Sequence, residues 1–89
     1  MIKSRVLIVA DTLFKARALA TRLEQHGACE VVGHVTDLAS CLLQARTLAP
    51  EVVVFDPDSA LLRNANARTL ILRQHPTLTL QIGVEGPRP

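Results

Sequence analysis

Short apolar runs that alternate with helix-like segments constrain this chain more than any other feature. The runs occupy residues 5–10, 30–34 and 51–55, and the last has three consecutive valines. Runs of this kind are typical of strands that are buried on both faces of a parallel sheet. We predict a fourth strand over residues 77–84.

Amphipathic segments separate the predicted strands. The first helix is predicted to begin after the capping pair Asp11 and Thr12 and to run to about His26, before Gly27. The second begins after Thr36 and Asp37 and stops at Pro50, and a third occupies about residues 60–74, before Pro76. The residues predicted to face inward are Phe14, Leu19, Ala20 and Leu23 in the first helix, Leu38, Cys41, Leu42, Ala45 and Leu48 in the second, and Leu61, Leu62, Ala65 and Leu72 in the third.

The resulting βαβαβαβ order predicts an α/β domain with an open parallel sheet and right-handed crossovers. The chain has 89 residues, which is enough for one small domain. We assign residues 1–86 to that domain and residues 87–89 to a tail.

Composition narrows the range of functions. The net charge is +2 and the Lys and Arg residues are scattered, so we expect no direct nucleic acid binding by this segment. We also expect no signal peptide and no membrane span, and hence a cytoplasmic protein. Cys29 and Cys41 do not form a C-x-x-C pair and are expected to be reduced.

Acidic residues follow two of the predicted strands. Asp11 comes directly after the first strand, and Asp56 and Asp58 come after the third. Functional groups of parallel sheets collect at the carboxyl ends of the strands, so these carboxylates are candidate ligands for Mg²⁺. Asp56 is also the candidate phospho-acceptor. The alternative interpretation is that Asp11 and Asp56 only cap helices and hydrogen-bond within loops.

Residues 6–14, 31–33 and 49–56, together with His75-Pro76, resemble the receiver domains of response regulators over essentially the whole chain. The resemblance implies a flavodoxin-like fold with strand order 2-1-3-4. It also implies a role in two-component signalling or phosphorelay, with Mg²⁺ as cofactor, Asp56 as phospho-acceptor and a histidine kinase as a possible partner.

The chain also departs from the receiver pattern. Receivers usually have two adjacent acids after the first strand, whereas here Ala10 precedes Asp11. Ser59, Ala60 and Asn64 stand where the family usually has a Met-Pro pair and a glycine. Gly83 or Val84 stands at the usual Ser or Thr. The family's lysine, fourth helix, fifth strand and fifth helix have no counterpart, which indicates a shortened domain or a fragment of a longer protein.

These losses favour a degenerate receiver that acts mainly through protein–protein contacts and is not an enzyme. The predicted interface is the edge of the fourth strand, which would pair with a second copy or with a partner protein. The residues of this edge are Leu78, Thr79, Leu80, Gln81 and Ile82. Two alternatives remain open, namely a working Mg²⁺-dependent receiver phosphorylated at Asp56 and a small ligand-binding α/β domain.

Overall fold

A computed structural model describes residues 3–25 and 27–83 of the chain. The elements, in chain order, are β1 (Ser4–Val9), α1 (Leu13–Gln25), β2 (Cys29–Val35), α2 (Leu38–Leu48), β3 (Val52–Phe55), a 3-10 helix (Ala60–Arg63), α3 (Ala67–Gln74) and β4 (Thr79–Ile82). The predicted end of the first helix at His26, the end of the fourth strand at Val84 and the tail at 87–89 lie outside the described residues. None of the helices described here has the length and apolar character needed to cross a bilayer.

The strands of the described ranges form one parallel sheet of four strands in the order β2-β1-β3-β4. β1 lies between β2 and β3, and β4 pairs with β3 at one edge of this sheet. The α/β class and the strand order 2-1-3-4 are therefore confirmed. The continuous apolar runs are explained by this arrangement, because a central strand of a parallel sheet is covered on both faces.

Successive residues of β1 contribute to two separate cores. Val6 and Ile8 point to the face covered by α1, whereas Leu7 and Val9 point to the face covered by α2 and α3. All four side chains are at most 1% exposed. The α1 side is completed by Ala10, Ala16, Leu19, Leu23 and Val54, and the other side by Val35, Cys41, Ala45, Val53, Phe55, Leu61, Ala67, Ile71 and Leu78.

The ends of the first two helices follow the predicted capping chemistry. Thr12 Oγ1 accepts a hydrogen bond from the Lys15 amide at 3.1 Å, and Asp37 Oδ1 accepts one from the Ser40 amide at 2.7 Å. Helix α2 ends at Ala49, which adopts a left-handed conformation with a φ of 49°, directly before Pro50.

The predicted third helix is wrong as one continuous element. A 3-10 helix occupies Ala60–Arg63, and Asn64 is extended, with a φ of −83° and a ψ of 108°. The Asn64 side chain accepts a hydrogen bond from the Asn66 amide at 3.0 Å, a local bond that competes with helix formation. Because α3 then begins at Ala67, its buried residues are Ala67 and Ile71, whereas the Ala65 and Leu72 predicted to face inward are exposed.

Phe14 does not belong to the apolar face of α1. Its side chain is 81% exposed, whereas Ala16, Leu19 and Leu23 are buried against the sheet. Side chains three or four positions apart share a helix face, but side chains two positions apart do not. Phe14 is therefore directed away from the face that begins at Ala16.

Candidate functional site

The carboxyl ends of β1 and β3 lie side by side. Val9 is in register with Phe55, and the Asp56 amide donates a 2.8 Å hydrogen bond to the Val9 carbonyl oxygen. The turns that follow the two strands therefore start from the same edge of the sheet. This places Asp11 and Asp56 at one end of the molecule, as predicted from the topology. We call the region around Asp11, Asp56 and Asp58 the carboxylate crevice.

Asp56 is half-buried at the end of β3. Its carboxylate atom Oδ2 is buried and has no hydrogen-bond partner among the described residues. Its main-chain oxygen accepts a 2.9 Å hydrogen bond from the Ser59 amide, which closes the turn after the strand. A buried carboxylate oxygen without a partner is costly, so this atom is the strongest indication of chemistry in the crevice.

Asp11 is bound to the opposite turn. Its Oδ1 and Oδ2 atoms lie 3.1 and 3.2 Å from the Ala60 amide nitrogen, which donates to both. Ala60 begins the 3-10 helix, so Asp11 stabilises the start of that helix from a distant part of the chain. This contact supports the interpretation of Asp11 as a loop-binding residue.

Asp58 forms an ion pair with Lys15 of α1. The Lys15 Nζ atom lies 3.1 Å from Asp58 Oδ2. The hydrogen bond to Asp58 and the Asp58 charge raise the pKa of Lys15 above its ordinary value, and the charges of Asp56 and Asp11 act in the same direction. The Lys15 ammonium is therefore the cation that pairs with Asp58 in the carboxylate crevice.

These contacts involve the three residues that the sequence predicts as Mg²⁺ ligands, Asp11, Asp56 and Asp58. Within residues 3–25 and 27–83, no group of three or more His, Cys, Asp or Glu side chains could hold a metal ion. The Asp56 Oδ2 atom is free to act as a ligand, but Asp11 is engaged by the Ala60 amide and Asp58 by Lys15. Binding of Mg²⁺ by these three carboxylates stays a prediction.

Ala10 is completely buried and belongs to the core beneath α1. Its carbonyl oxygen lies 3.0 Å from His34 Nε2, so the Nε2 nitrogen carries the hydrogen that completes this bond. At the position before Asp11, Ala10 therefore contributes core packing and a main-chain contact. After the end of β4, Gly83 is one of the two candidates for the position of the family's hydroxyl residue, and its φ is 69°.

Lys15 and the Ala60 amide are the parts of the site that sequence reasoning missed. Lys15 pairs with Asp58, which is 43 positions away in the chain, so no local spacing signals this contact. The Ala60 amide carries no signal either, because a main-chain donor is placed by the fold and not by its residue type.

A shallow cleft of about 390 Å³ lies beside Asp56, between α1 and the end of β4. Phe14, Lys15, Pro57 and Ile82 contribute to its walls. A larger cleft of about 780 Å³ lies at the opposite end of the sheet, far from the predicted site residues, and is lined in part by Arg46 and Glu51.

Cys41 does not contribute a reactive thiol to these surfaces. It is completely buried, and burial raises the pKa of its thiol from 9.0 to about 11. The neutral thiol therefore predominates near pH 7, and the residue acts as a small apolar group.

The predicted interface residues lie on or next to β4. Thr79 is exposed, Leu80 and Gln81 are half-buried and Ile82 is 41% exposed, whereas Leu78 precedes the strand and is buried. The amides of Thr79 and Gly83 donate to the Glu51 and Phe55 carbonyls on the β3 side.

Strand alternation directs the main-chain groups of Leu80 and Ile82 to the other side of β4, where the described residues provide no further strand. The position of β4 at a sheet edge agrees with the prediction. No contact with a partner is implied by this position alone.

Comparison with known proteins agrees with this geometry. The RcsB response regulator of Salmonella typhimurium superposes with a TM-score of 0.76 at 20% identity, over 90% of this chain and 42% of that one. The signal receiver domain of the putative response regulator NarL from Mycobacterium tuberculosis superposes with a TM-score of 0.62 at 16% identity. The match covers 97% of this chain and 88% of that one. The anti-anti-sigma factor PhyR from Bartonella quintana superposes with a TM-score of 0.71 at 19% identity. The match covers 91% of this chain and 33% of that one.

A curated relative matches in sequence. The protein-glutamate methylesterase/protein-glutamine glutaminase of Alkalilimnicola ehrlichii is 33% identical over 78 residues, which are 88% of this chain and 20% of that protein. The chain thus spans about a fifth of the length of this relative. No protein-family model matches the chain.

The order of the strands, the placement of Asp11 and Asp56 at their carboxyl ends and the structural neighbours lead to one assignment. The chain has the fold of response-regulator receiver domains. The resemblance predicted from the sequence is confirmed at this level.

Proposed function

We propose that the chain is a degenerate receiver module that works in signal transduction or transcription regulation through protein–protein contacts, and that it is not an enzyme. The observation that carries this proposal is the position of β4 at the sheet edge, with the main-chain groups of Leu80 and Ile82 unpaired by any described strand. Exposed strand edges readily pair with another chain.

The geometry of the carboxylate crevice supports the degenerate part of the proposal. Phosphorylation of a receiver aspartate requires charge neutralisation around an incoming anion. Here Asp11 is engaged by the Ala60 amide and Asp58 by Lys15, and neither Gly83 nor Val84 has a side-chain hydroxyl. Without a hydroxyl that binds the phosphoryl group, one means of favouring one conformation over another is lost.

The partner that best fits β4 is a second copy of the chain. Two β4 edges related by a two-fold axis would pair antiparallel and form one continuous sheet, which is the geometry of an isologous dimer. A strand supplied by a different protein is the other possible partner. A histidine kinase remains a possible upstream partner under the alternative described below.

Sedimentation velocity over a range of concentrations tests this proposal. We expect wild-type protein to form a dimer and Ile82→Pro to remain monomeric, because proline removes an outward-facing amide without removing a hydrogen bond to β3. The matched control Ile82→Val keeps the amide and the branched side chain, so it should still dimerise. A monomeric wild type at the highest concentration would count against self-association through β4.

A second candidate function is a working receiver that is phosphorylated at Asp56. The observation in its favour is the buried Asp56 Oδ2 atom, which lacks a hydrogen-bond partner among the described residues. An oxygen in this state could be satisfied by a cation or by covalent modification. Under this alternative Asp56 would accept a phosphoryl group, and a histidine kinase would be its source.

A further inference from the structure

Lys15 occupies a position that neither the topology nor the resemblance assigns to any function. It lies in the first turn of α1, and its Nζ atom is 3.1 Å from Asp58 Oδ2. The side chain is 42% exposed, so the ammonium group stands at the mouth of the carboxylate crevice and not in the core.

The Lys15 ammonium offsets part of the negative charge in the carboxylate crevice. Asp11, Asp56 and Asp58 carry three formal negative charges at the same end of the sheet, and repulsion among them has to be offset. Lys15 is also the only cation that forms an ion pair among the described residues.

We propose that the Lys15 ammonium is the resident cation of the carboxylate crevice and takes the place of a divalent metal ion there. Two contacts support this assignment. Asp58 Oδ2 is held by Lys15, and both carboxylate oxygens of Asp11 accept from the Ala60 amide, whereas the buried Asp56 Oδ2 has no partner among the described residues. The inference goes beyond the proposed protein contacts, because it would hold whichever partner binds β4.

A metal ion and Lys15 should therefore compete for the Asp58 carboxylate. A divalent cation that approached Asp58 would meet the positive charge of the ammonium a few ångströms away, which disfavours binding. Replacing Lys15 by a neutral residue removes this repulsion and releases Asp58. Oxygen ligands from the freed carboxylates would then suit Mg²⁺.

The test compares Mg²⁺ binding by wild type, Lys15→Gln, Lys15→Arg and Arg17→Gln. Arg17 is an exposed residue of the same helix and forms no ion pair in the described part of the chain, so its substitution controls for the change in net charge. Binding is followed by NMR, from the amide shifts of Asp11 and Asp56 during titration with MgCl₂ at constant ionic strength. Lys15→Arg retains a cation at the same position.

We expect Lys15→Gln to bind Mg²⁺ about tenfold more tightly than wild type, because one positive charge next to the ligands is removed. Lys15→Arg and Arg17→Gln should remain close to wild type. The proposal is overturned if Lys15→Gln binds no more tightly than Arg17→Gln, or if it shows no binding. Since sedimentation reports separately on β4, failure of this proposal can be distinguished from failure of the proposed function.

Discussion

Asp37 shows how one side chain fixes the start of an element. Its Oδ1 atom accepts the Ser40 amide at 2.7 Å, and this bond to the Ser40 main chain lowers the pKa of Asp37 below its ordinary value. Such a cap is needed because the first four amides of an α-helix have no hydrogen-bond partner within the helix. The cap was predicted from the sequence alone.

Replacing Asp37 by Ala should lower the free energy of unfolding, whereas Asp37→Asn should retain most of it because Asn is also a good cap. Since the pKa of Asp37 is lower in the folded state, its ionic contribution is present above the unfolded value of 3.8. It is lost as the pH falls through the folded value. Urea unfolding of wild type and the two variants at pH 7 and pH 3 measures this change in the free energy of unfolding. An Asp37→Ala defect that is as large at pH 3 as at pH 7 would contradict the account.

The candidate site was only partly predictable from individual residues. Asp11 and Asp56 were identified because each follows a buried strand, and the pairing of β1 with β3 does place the two strand ends together. The partners of these acids were not predictable. The contact of Asp11 with the Ala60 amide joins residues 49 positions apart, and local spacing carries no information about such a pair.

At the scale of elements, the end of α2 departs from the usual chemistry. Ala49 adopts a left-handed conformation with a φ of 49°, and its amide donates to the Ala45 carbonyl oxygen at 3.2 Å. Glycine is the usual residue at such a position, because a Cβ atom disfavours left-handed backbone. The sequence indicated a stop from Pro50, and the conformation of the residue before it could not be inferred.

Ala49→Gly should therefore stabilise the protein by about 0.5–1 kcal/mol, since relief of the left-handed conformation outweighs the added flexibility of the unfolded chain. Ala18→Gly in the exposed interior of α1 is the matched control, and it should destabilise by about 1 kcal/mol. Both values come from chemical denaturation. A loss of stability in Ala49→Gly comparable to that in Ala18→Gly would show that Ala49 is not strained.

The strands were easier to predict than the helices. The bounds of β1 and β3 were predicted to within about one residue, because runs of β-branched residues occur mainly in strands. The break at Asn64 was missed, because periodicity continues across it and the local hydrogen bond to Asn66 became visible only in the structure. Phe14 was misplaced because an apolar residue near a helix start was counted with the buried face.

At the scale of the whole molecule, the strand order and the two cores followed from the alternation of elements, and the structural neighbours agree with them. Alternation alone leaves open whether the site at the strand ends still works. The departures at Ala10 and at Gly83 or Val84 predicted a loss of chemistry, and the contacts made by Asp11 and Asp58 are consistent with that prediction. Whether Asp56 accepts a phosphoryl group depends on the charged and hydrogen-bonding groups around it, and the fold alone does not determine these.

Intact mass spectrometry after incubation with acetyl phosphate and Mg²⁺ tests the central claim most directly. We predict that wild-type protein keeps its mass, as does Asp56→Ala, because the proposed role of Lys15 at Asp58 would disfavour the Mg²⁺ ion that neutralises an incoming phosphoryl group. A stoichiometric phosphoryl adduct on wild-type protein that disappears in Asp56→Ala would contradict the account and establish a working receiver.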